Sequence, residues 1–580
     1  MACEFITQLS KLRKLSAESV DNTKAFDEYK QYLHVERPVE EELRELLRQI
    51  NVNQRKCLVL LCGSAGDGKS HLISYLKNSD PEGLLADYET YNDATESSKP
   101  TSTSIDTLSE KLSSFNDDNY LVEDDRKVIV AINLGTLNNF IESDKGKLFS
   151  KLKEYVVENR IFSGFNQQNT YTNDSIFQHV SFSDYQVFAL KENGVEPVFL
   201  EKLLDKIFRK MPDNLFYQAY VEDANCPMCS RCPVRHNYEF LSDVRNQKAL
   251  IRRIVEVVIK DKEIVSTREV LNLLFDLIVH PNFDKDAISA GTSDTKYLMD
   301  YINWTTPMLI DEFEDISPLL NTIRKHDVLK SRSIELDNNA TEFHSKENID
   351  DVFVEATVGT PYQILRDLTD VSVLGGTKKE LKTIMYRFIA RLKAFREEDN
   401  IEGRSRLDDF MRCLYFQNCG DEKKLQDLYT ATKKAIMSWD GQFDDDYICV
   451  DDTNENMWVV EQLYLKPYIP KKTAPVMGSI QRFSPTVTLR FQKEGDASNV
   501  AEICIDYALY ELISDMREGY RPTVQDKNRH ADFAGFVQRL GEFGNKSKRI
   551  VLIPKRSDES QRIVFEEADF DEFKFKVVLV

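Results

Sequence analysis

The chain has 580 residues, of which 97 are acidic and 76 basic, so its formal net charge is −21. This length exceeds what one hydrophobic core accommodates, and we expect about three or four folding units. A hydrophobic content of 41% excludes wholesale disorder, and the negative charge disfavours a protein that binds DNA phosphates unaided. No apolar run has membrane-spanning length, the N-terminus lacks a signal-peptide pattern, and the ten cysteines are scattered apart from three that cluster tightly. We therefore expect a soluble cytoplasmic protein that does not enter membranes.

The first 50 residues are charged and carry apolar residues at three- and four-residue steps, which predicts helices. The apolar run over 56–62 predicts a strand buried on both faces, followed by a glycine-rich loop and a helix over 69–77. Similar runs predict strands over 127–134 and 177–182. Strands that alternate with helices are typical of a parallel α/β sheet.

The loop after the first strand matches the G-x-x-x-x-G-K-[ST] pattern of a P-loop, the Walker A motif. Its glycines let successive backbone N–H groups point at phosphates, and the following helix adds the positive end of its dipole. We expect Lys69 to contact the β- and γ-phosphates of ATP and the Ser70 hydroxyl to ligate Mg²⁺. The predicted nucleotide-binding residues are Gly63, Ser64, Ala65, Gly66, Asp67, Gly68, Lys69, Ser70 and His71.

Hydrolysis needs an acid near Mg²⁺ and a polar group that orients the attacking water. The usual acidic pair is missing at the end of the 127–134 strand, where Asn133 suits a polar sensor of the γ-phosphate. Asp93 could serve the metal and Glu96 could polarise the water, or the two could form a helix N-cap. Arg268 could reach the γ-phosphate in cis, or it could be an ordinary exposed residue in the first turn of a helix.

The region from about 245 to 440 reads as mostly helical. Ser266 and Glu269 predict a capping box at the start of the helix that carries Arg268. The polar stretch 327–350 has no period and predicts a linker or loop. The predicted units are a helical N-terminal segment 1–50, a P-loop NTPase core 51–245, a helical lid 246–345, a helical domain 346–440 and an α+β domain 441–580.

Three cysteines and a histidine form a C-x₂-C-x₂-C-x₃-H cluster within the predicted NTPase core. Thiolates and imidazole are ligands that Zn²⁺ prefers in structural sites. The alternatives are ordinary cysteines in a hairpin, or an iron–sulfur site, which would lack a fourth cysteine nearby. The predicted zinc ligands are Cys226, Cys229, Cys232 and His236.

A basic stretch over 382–406 is the candidate nucleic-acid surface, and a solvated helix face is the alternative. Two further basic residues, Arg404 and Arg406, could act on the nucleotide of a neighbouring subunit, which would require a homo-oligomer. The residues proposed for the nucleic-acid surface are Lys382, Arg387, Arg391, Lys393 and Arg396.

Three segments, 61–72, 92–97 and 130–140, together resemble the DptF family, the F component of bacterial DNA phosphorothioation-dependent restriction. The resemblance implies a P-loop ATPase that works with G and H partner components against DNA lacking the host's phosphorothioate marks. It implies ATP binding at residues 63–70. It assigns no role to the acids of segment 92–97 or to the asparagine of segment 130–140.

The predicted fold is multidomain α/β: an AAA-like P-loop NTPase parallel sheet with a cysteine-rich insertion, a helical lid and middle region, and an α+β C-terminal domain. The predicted function is ATP binding and hydrolysis with Mg²⁺, by a zinc-containing subunit of a DNA restriction or antiviral defence complex. DNA would be reached through that complex. The alternative is a nucleotide-binding switch or scaffold with little hydrolysis, which would fit the missing acidic pair. A metabolic kinase is disfavoured, because most of the chain would exceed what such an enzyme needs.

Overall fold

The computed structural model describes most of the chain. Asp93, Glu96 and Arg404, which the sequence singled out, lie outside the described residues. The described residues are 3–18, 28–53, 55–91, 103–162, 171–283, 288, 295–310, 317–330, 334–346, 350–365, 378–396, 405–441, 447–451, 455–469, 478–493, 496–541, 543, 549–555, 561–567 and 572–579.

Helices account for most of the regular structure, and they form where the sequence predicts them over the first 50 residues and over 380–438. Among the described residues, no helix combines the length and apolarity needed to cross a membrane. The α-helices, numbered α1 to α22 in chain order, are Glu4–Glu18, Glu28–Tyr32, Pro38–Asn53, Lys69–Asn78, Ser104–Lys111, Leu134–Glu142, Ser150–Glu158, Val198–Phe208, Leu215–Glu222, Pro233–Leu241, Val244–Lys260, Thr267–Ile278, Thr295–Asn303, Pro318–Ile323, Ile334–Ser345, Asp350–Thr357, Lys378–Arg396, Arg406–Cys419, Gln426–Ser438, Tyr507–Arg517, Val524–Arg529 and Ala531–Gly541.

The strands form a parallel sheet early in the chain and antiparallel sheets later. The strands, numbered β1 to β14, are Cys57–Gly63, Tyr88–Tyr91, Lys127–Asn133, Phe177–Ser181, Ala189–Lys191, Gly194–Glu196, Tyr447–Asp451, Met457–Gln462, Leu465–Pro467, Val487–Lys493, Asp496–Ile505, Arg549–Pro554, Gln561–Glu567 and Phe573–Leu579. The first four pair in the order β2-β3-β1-β4 and all run parallel. The parallel α/β sheet predicted from the sequence is therefore confirmed.

The central strand β1 is buried along its whole length because helices cover both faces of the sheet. On one face Leu58 and Leu60 pack with Phe140 of α6 and Leu152 of α7. On the other face, alternate residues of β1 pack with apolar side chains of α3 and α4. Successive side chains of a strand point to opposite faces, so both sets must be apolar. This explains the unbroken apolar run in the sequence.

A buried polar network holds the last residue of α12 in place. The Asn237 side-chain amide of α10 donates to the carbonyls of Ile278, at 3.0 Å, and Trp304, at 2.8 Å. Its oxygen accepts the N–H of Thr306 at 2.9 Å and the hydroxyl of Tyr362 at 2.9 Å. Because every polar atom of this buried amide is bonded, the network fixes the C-terminal end of α12.

The chain divides into two compact units. Unit 1 comprises residues 1–189 and 197–402, and unit 2 comprises 190–196 and 403–580. Unit 2 contains the antiparallel sheets β11-β10-β9 and β14-β13-β12-β8-β7 together with helices, as the α+β prediction for the C-terminal region required. The boundary falls inside the segment 346–440 of the sequence-based division, because α18 and α19 cluster with the C-terminal strands.

The stretch 327–350, predicted as a linker or loop, contains helix α15, so that prediction is wrong. The helix is anchored by Phe343, which is 5% exposed and packs against Tyr386 of α17 at a ring-centroid distance of 5.6 Å. One anchoring aromatic among polar residues gives no helical periodicity, so the sequence pattern could not reveal the helix.

Candidate functional site

The loop that follows β1 has the backbone of a phosphate-binding turn. Gly66 and Gly68 adopt left-handed conformations, with φ of +86° and +99°. Gly68 is also the N-cap of α4, so the loop passes directly into the positive end of that helix. A Cβ at Gly63 would stand 2.7 Å from the Asp67 carboxylate and 2.9 Å from Cβ of Phe182, which explains the first glycine of the motif.

The two charged residues of the loop are turned inward, onto the loop itself. Lys69 is 9% exposed, and its Nζ donates to the carbonyl of Ser64 at 2.6 Å. The Asp67 carboxylate accepts the N–H of Ser64. Burial raises the pKa of Asp67, while Lys69, the Ser64 N–H and Arg37 act in the opposite direction. The charge of Lys69 thus partly offsets the burial of the Asp67 carboxylate inside the turn, beside Ser70 and His71 in the first turn of α4.

Helix α12 begins directly against this loop, which brings Arg268 to the predicted nucleotide site. The backbone N–H of Arg268 points at the carbonyl of Gly66 at 3.4 Å. A Cβ at Gly66 would meet the Arg268 Cβ at 3.0 Å and the Ser266 hydroxyl at 3.2 Å. The predicted capping box is confirmed, since Ser266 accepts the N–H of Glu269 and the Glu269 carboxylate accepts the N–H of Ser266.

Asn133 ends strand β3 beside the loop. In the parallel register it lies opposite Gly63, the last residue of β1. Its side-chain oxygen accepts the N–H of Thr136 at 2.6 Å and so caps helix α6. The NH₂ group of the Asn133 side chain has two hydrogen-bond donors, which could bind a phosphate or a water molecule. The sensor role of Asn133 stays a prediction, as do the roles of Asp93 and Glu96.

One arginine that contacts the loop was not identified from the sequence. It lies between helices α2 and α3. Arg37 precedes α3, and its guanidinium donates to the carbonyl of Asp67 at 3.1 Å. It also lies over the rings of Phe182 at 5.4 Å and Phe199 at 5.1 Å. Burial lowers the pKa of Arg37. No spacing rule links residue 37 to residue 67, so only the tertiary structure reveals this contact.

A histidine pair lies next to the loop on the same side. The His34 Nδ1 and His71 Nε2 atoms are 3.1 Å apart, and the His34 ring stacks on Tyr75 with centroids 3.5 Å apart. The other nitrogen of His34 is 3.1 Å from the Glu40 carboxylate. Burial, and then the electrostatic interaction with His34, lower the pKa of His71 to about 4. His71 is therefore neutral at physiological pH.

Sequence reasoning also failed to identify a buried carboxylate, that of Asp184, which lies just beyond the carboxyl end of β4. Asp184 is 8% exposed and follows Ser181, which pairs with Cys62 of β1. Burial raises the pKa of the Cys62 thiol to about 12, Lys69 acts to lower it, and Asp184 acts to raise it. Both charges therefore lie near the end of β1. Asp184 is the carboxylate that the described structure adds to the candidates for holding Mg²⁺.

No protein-family model matches this chain, and a search of curated proteins finds no match. In the geometry of this site, one edge of a parallel sheet carries a glycine loop, a lysine at a helix start, an arginine and polar side chains. Such an edge is where α/β sheets bind ligands.

The cysteine cluster lies between α9 and α10. Cys226 and Cys229 are half-buried, and Cys232 and His236 are buried. The Nδ1 atom of His236 is hydrogen-bonded to the hydroxyl of Tyr301. Within the part of the chain that the structure describes, no three His, Cys, Asp or Glu side chains are placed to hold a metal ion. Zinc binding stays a prediction.

The basic stretch does not form one continuous surface on α17. Arg391 is 3% exposed and pairs with Asp327 at 2.7 Å, so its inclusion in a nucleic-acid surface is wrong. Lys393 is exposed, whereas Arg387 is half-buried. Lys393 lies two positions after Arg391, roughly 200° around the helix, so the two side chains point to opposite sides of α17.

Arg406, predicted to act on a neighbouring subunit, pairs within its own unit. Its guanidinium lies 2.6 Å from the Asp515 carboxylate and 3.1 Å from that of Glu518. These ion pairs link the start of α18 to the end of α20. The action of Arg406 in trans stays a prediction, and it would require these two carboxylates to release the guanidinium.

Proposed function

We propose that this chain binds ATP with Mg²⁺ at residues 63–70 and hydrolyses it. The observation that carries the proposal is the strand–loop–helix of β1 and α4, with left-handed glycines at Gly66 and Gly68 and the start of α12 seated on the loop. Successive N–H groups in such a turn attract anions, and the helix N-terminus adds positive potential. The inward position of Lys69 is compatible with this, because a bound phosphate would replace the Ser64 carbonyl as its partner.

The proposed roles follow from position. Lys69 neutralises the β- and γ-phosphates and Ser70 ligates Mg²⁺. Arg268 stabilises the charge that develops on the γ-phosphate, and the side-chain amide of Asn133 contacts the γ-phosphate or the attacking water. The acids proposed to hold Mg²⁺ or polarise water are Asp93, Glu96 and Asp184.

The biological setting rests on the family resemblance of segments 61–72, 92–97 and 130–140. We propose a subunit of a restriction or anti-phage complex that works with G and H components and reaches DNA through them. The net charge of −21 supports indirect DNA contact, since it repels a phosphate backbone. All ten cysteines are free thiols, which supports a reducing cytoplasmic location.

A switch or scaffold with little hydrolysis is the second candidate. It is favoured by one observation: the strand end next to the loop carries Asn133, which caps a helix, instead of an acidic pair. Such a protein would bind ATP, change conformation and release it unhydrolysed.

Binding is tested with a fluorescent ATP analogue and Mg²⁺. We expect Lys69→Ala to weaken binding at least tenfold, because the loop then lacks its phosphate cation. Lys77→Ala is the control, since Lys77 lies exposed on the same helix. Equal affinity of Lys69→Ala and wild type would refute the proposed site.

Hydrolysis is tested separately, by phosphate release with DNA and the partner components present. We expect the wild type to release phosphate. The acid that holds Mg²⁺ or polarises the water is identified by the variant, Asp184→Asn, Glu96→Gln or Asp93→Asn, whose rate of phosphate release falls at least tenfold. If the wild type binds ATP yet releases phosphate no faster than Lys69→Ala, the proposal of ATP hydrolysis is wrong and that of a nucleotide-binding switch is correct.

The restriction setting is tested in cells. We expect the chain with its G and H components to reduce transformation by plasmid DNA that lacks phosphorothioate marks, and to spare marked plasmid. Lys69→Ala should abolish the difference. Equal transformation by marked and unmarked plasmid with the wild type would refute the setting without affecting the ATP site.

A further inference from the structure

The side chain of Arg37 reaches the phosphate-binding loop, residues 63–70, from the segment between α2 and α3. Its guanidinium donates to the carbonyl of Asp67 at 3.1 Å. It also lies over the aromatic rings of Phe182, at 5.4 Å, and Phe199, at 5.1 Å. Because a cation is attracted to the face of such rings, the three contacts together hold the guanidinium against the loop.

The positive charge of Arg37 is not neutralised by an ion pair. In the described part of the chain, its guanidinium forms no salt bridge with a carboxylate. The two arginines of the following helix α3 do form them: Arg44 lies 2.9 Å from Glu40, and Arg48 lies 2.9 Å from Glu82. Burial lowers the pKa of Arg37, yet a guanidinium stays charged in proteins. A desolvated cation without an ion pair costs free energy, so its place beside the loop indicates a function for the charge.

The contact with Arg37 orients one peptide group of the loop. The carbonyl of Asp67 and the N–H of Gly68 belong to the same trans peptide, in which C=O and N–H point in opposite directions. Since Arg37 holds the carbonyl, the N–H of Gly68 is directed away from Arg37. Gly68 is also the N-cap of α4, so this N–H lies at the positive end of that helix. It is therefore among the N–H groups that an anion at the loop would bind.

Two other carbonyls of the loop have partners that are less suited to this task. The Nζ of Lys69 donates to the carbonyl of Ser64 at 2.6 Å, and the N–H of Arg268 points at the carbonyl of Gly66 at 3.4 Å. Lys69 would have to leave Ser64 when a phosphate binds, and a contact of 3.4 Å is long for a hydrogen bond. Arg37 is therefore the partner that can hold the loop both before and after the nucleotide binds.

We propose that Arg37 is a positioning residue of the nucleotide site. It fixes the carbonyl of Asp67 so that the N–H of Gly68 faces the phosphates, and it adds positive charge behind the loop. This role rests on the proposed ATP binding at residues 63–70 and extends that site to a residue outside the motif. An N–H that is already oriented needs no reorganisation when the anion arrives, so affinity should depend on Arg37. ATP and ADP should depend on it equally, because the N–H groups of a P-loop contact the α- and β-phosphates, which both nucleotides carry.

Affinities for ATP and ADP with Mg²⁺, measured by displacement of a fluorescent analogue, test this role. We expect Arg37→Ala to raise the Kd of both nucleotides by about 10- to 100-fold, the range for losing a hydrogen bond from a charged group. Arg37→Met keeps apolar packing against Phe182 and Phe199 without a donor, and it should bind as weakly as Arg37→Ala. Arg37→Lys should regain part of the affinity, because an ammonium is still a charged donor. Arg48→Ala is the control and should match the wild type, since Arg48 pairs with Glu82 at the surface.

Steady-state phosphate release separates positioning from a loss of folded protein. Arg37→Met should raise the KM for ATP while kcat stays within about twofold of the wild type, because the loop binds the ground state and the transition state alike. A variant that only unfolds would instead lose kcat in proportion to its unfolded fraction. Lower kcat at unchanged KM in Arg37→Met would therefore contradict the positioning role.

Two further outcomes would overturn the inference. If Arg37→Met binds both nucleotides as tightly as the wild type, Arg37 serves packing alone. If Arg37→Lys binds no better than Arg37→Ala, a charged donor at this position is not what the loop requires. Lys69→Ala, measured alongside, distinguishes this failure from that of the ATP site. When Lys69→Ala loses binding and Arg37→Ala does not, the ATP site stands and the role of Arg37 falls, whereas a wild type that binds neither nucleotide would refute both.

Discussion

At the scale of single residues, Gly66 meets two demands at once. Its φ of +86° is in the left-handed region, and a Cβ would press on Arg268 at 3.0 Å. Gly83 has a similar φ of +66°, but a Cβ added there would meet no atom within 4 Å. Substitutions at the two positions therefore distinguish two effects. Both introduce a side chain into a left-handed backbone, whereas the one at Gly66 also creates a steric contact with the start of α12.

We expect Gly66→Ala and Gly83→Ala each to lose about 1–2 kcal/mol of stability from the left-handed backbone. Only Gly66→Ala should also displace Arg268 and weaken ATP binding by at least tenfold, because its methyl group lies between the loop and α12. Urea denaturation and nucleotide titration measure the two effects. Equal nucleotide affinity in both variants would show that the contact at Gly66 has no role in binding.

Arg268 is expected to act on the reaction more than on binding. Its side chain leaves α12 beside the loop, so Arg268→Ala should slow phosphate release by about 100- to 1000-fold, while affinity for ATP changes little. Arg268→Lys should recover only part of the rate, because an ammonium lacks the planar fork of donors. A rate equal to that of the wild type in Arg268→Ala would remove Arg268 from the mechanism.

His71 should make unit 1 less stable as the pH falls. Its pKa is about 4 in the folded chain against an ordinary value of 6.5, so between these values the unfolded chain binds the extra proton. Stability therefore rises with pH through this window and is lost on acidification. The ionisable groups that act on the ring are His34, Lys30 and Glu40.

Comparison with His71→Gln isolates this contribution. Between pH 7 and pH 5 the wild type should lose about 2 kcal/mol more stability than the variant, which cannot be protonated. Hydrogen exchange of the β1 amides at the two pH values measures the difference. An equal loss in both proteins would mean that His71 keeps its ordinary pKa when folded.

At the scale of elements, the start of α12 combines a helix cap with the wall of the site. Ser266 caps the helix and also lies 3.2 Å from a Cβ placed on Gly66. Thr103 forms an equivalent capping box with Asp106 at the start of α5. The two caps belong to the same unit, but only one adjoins the loop.

We expect Ser266→Ala and Thr103→Ala each to cost about 1 kcal/mol of stability, the usual value for a lost N-cap. Ser266→Ala should in addition raise the Kd for ATP severalfold, because the first turn of α12 and Arg268 lose their fixed position. Thermal unfolding and nucleotide titration test the pair. A Thr103→Ala variant that weakens ATP binding equally would show that general destabilisation is responsible.

Elements with a strong periodic or unbroken apolar pattern could be predicted. β1, β3 and α4 form within one or two residues of the expected positions, because burial on both faces leaves a clear trace in the sequence. Helix α15 could not be predicted, since Phe343 is the one buried side chain among those that the structure describes in this helix, and one such residue leaves no periodic trace.

At the scale of the whole molecule, the two units should respond differently to nucleotide. The proposed site lies entirely in unit 1, so ATP and Mg²⁺ at 100 times Kd should stabilise that unit by about 2.7 kcal/mol. Amides of β1 and β3 that exchange by global unfolding should then exchange about 100-fold more slowly. The strands of unit 2, β7 to β14, provide the internal control.

Hydrogen exchange with mass spectrometry, with and without nucleotide, measures this response. Protection that is confined to β7–β14, or that is equal in Lys69→Ala and wild type, would place the bound nucleotide elsewhere in the chain. Protection of β1 and α4 that disappears in Lys69→Ala would support the proposed position.

The sequence by itself determined the strand–loop–helix of residues 56–77, because the spacing of glycines, lysine and serine and the adjoining apolar run are local features. It also identified Arg268 and its capping box, since a cap is read from four neighbouring residues. Only the tertiary structure decided which distant residues meet at the loop. Arg37 and the start of α12 reach it through packing between elements far apart in the chain, and Asp184 is buried just beyond the end of the neighbouring strand β4. Such contacts leave no periodic pattern in the sequence, and they turn a local motif into a candidate site.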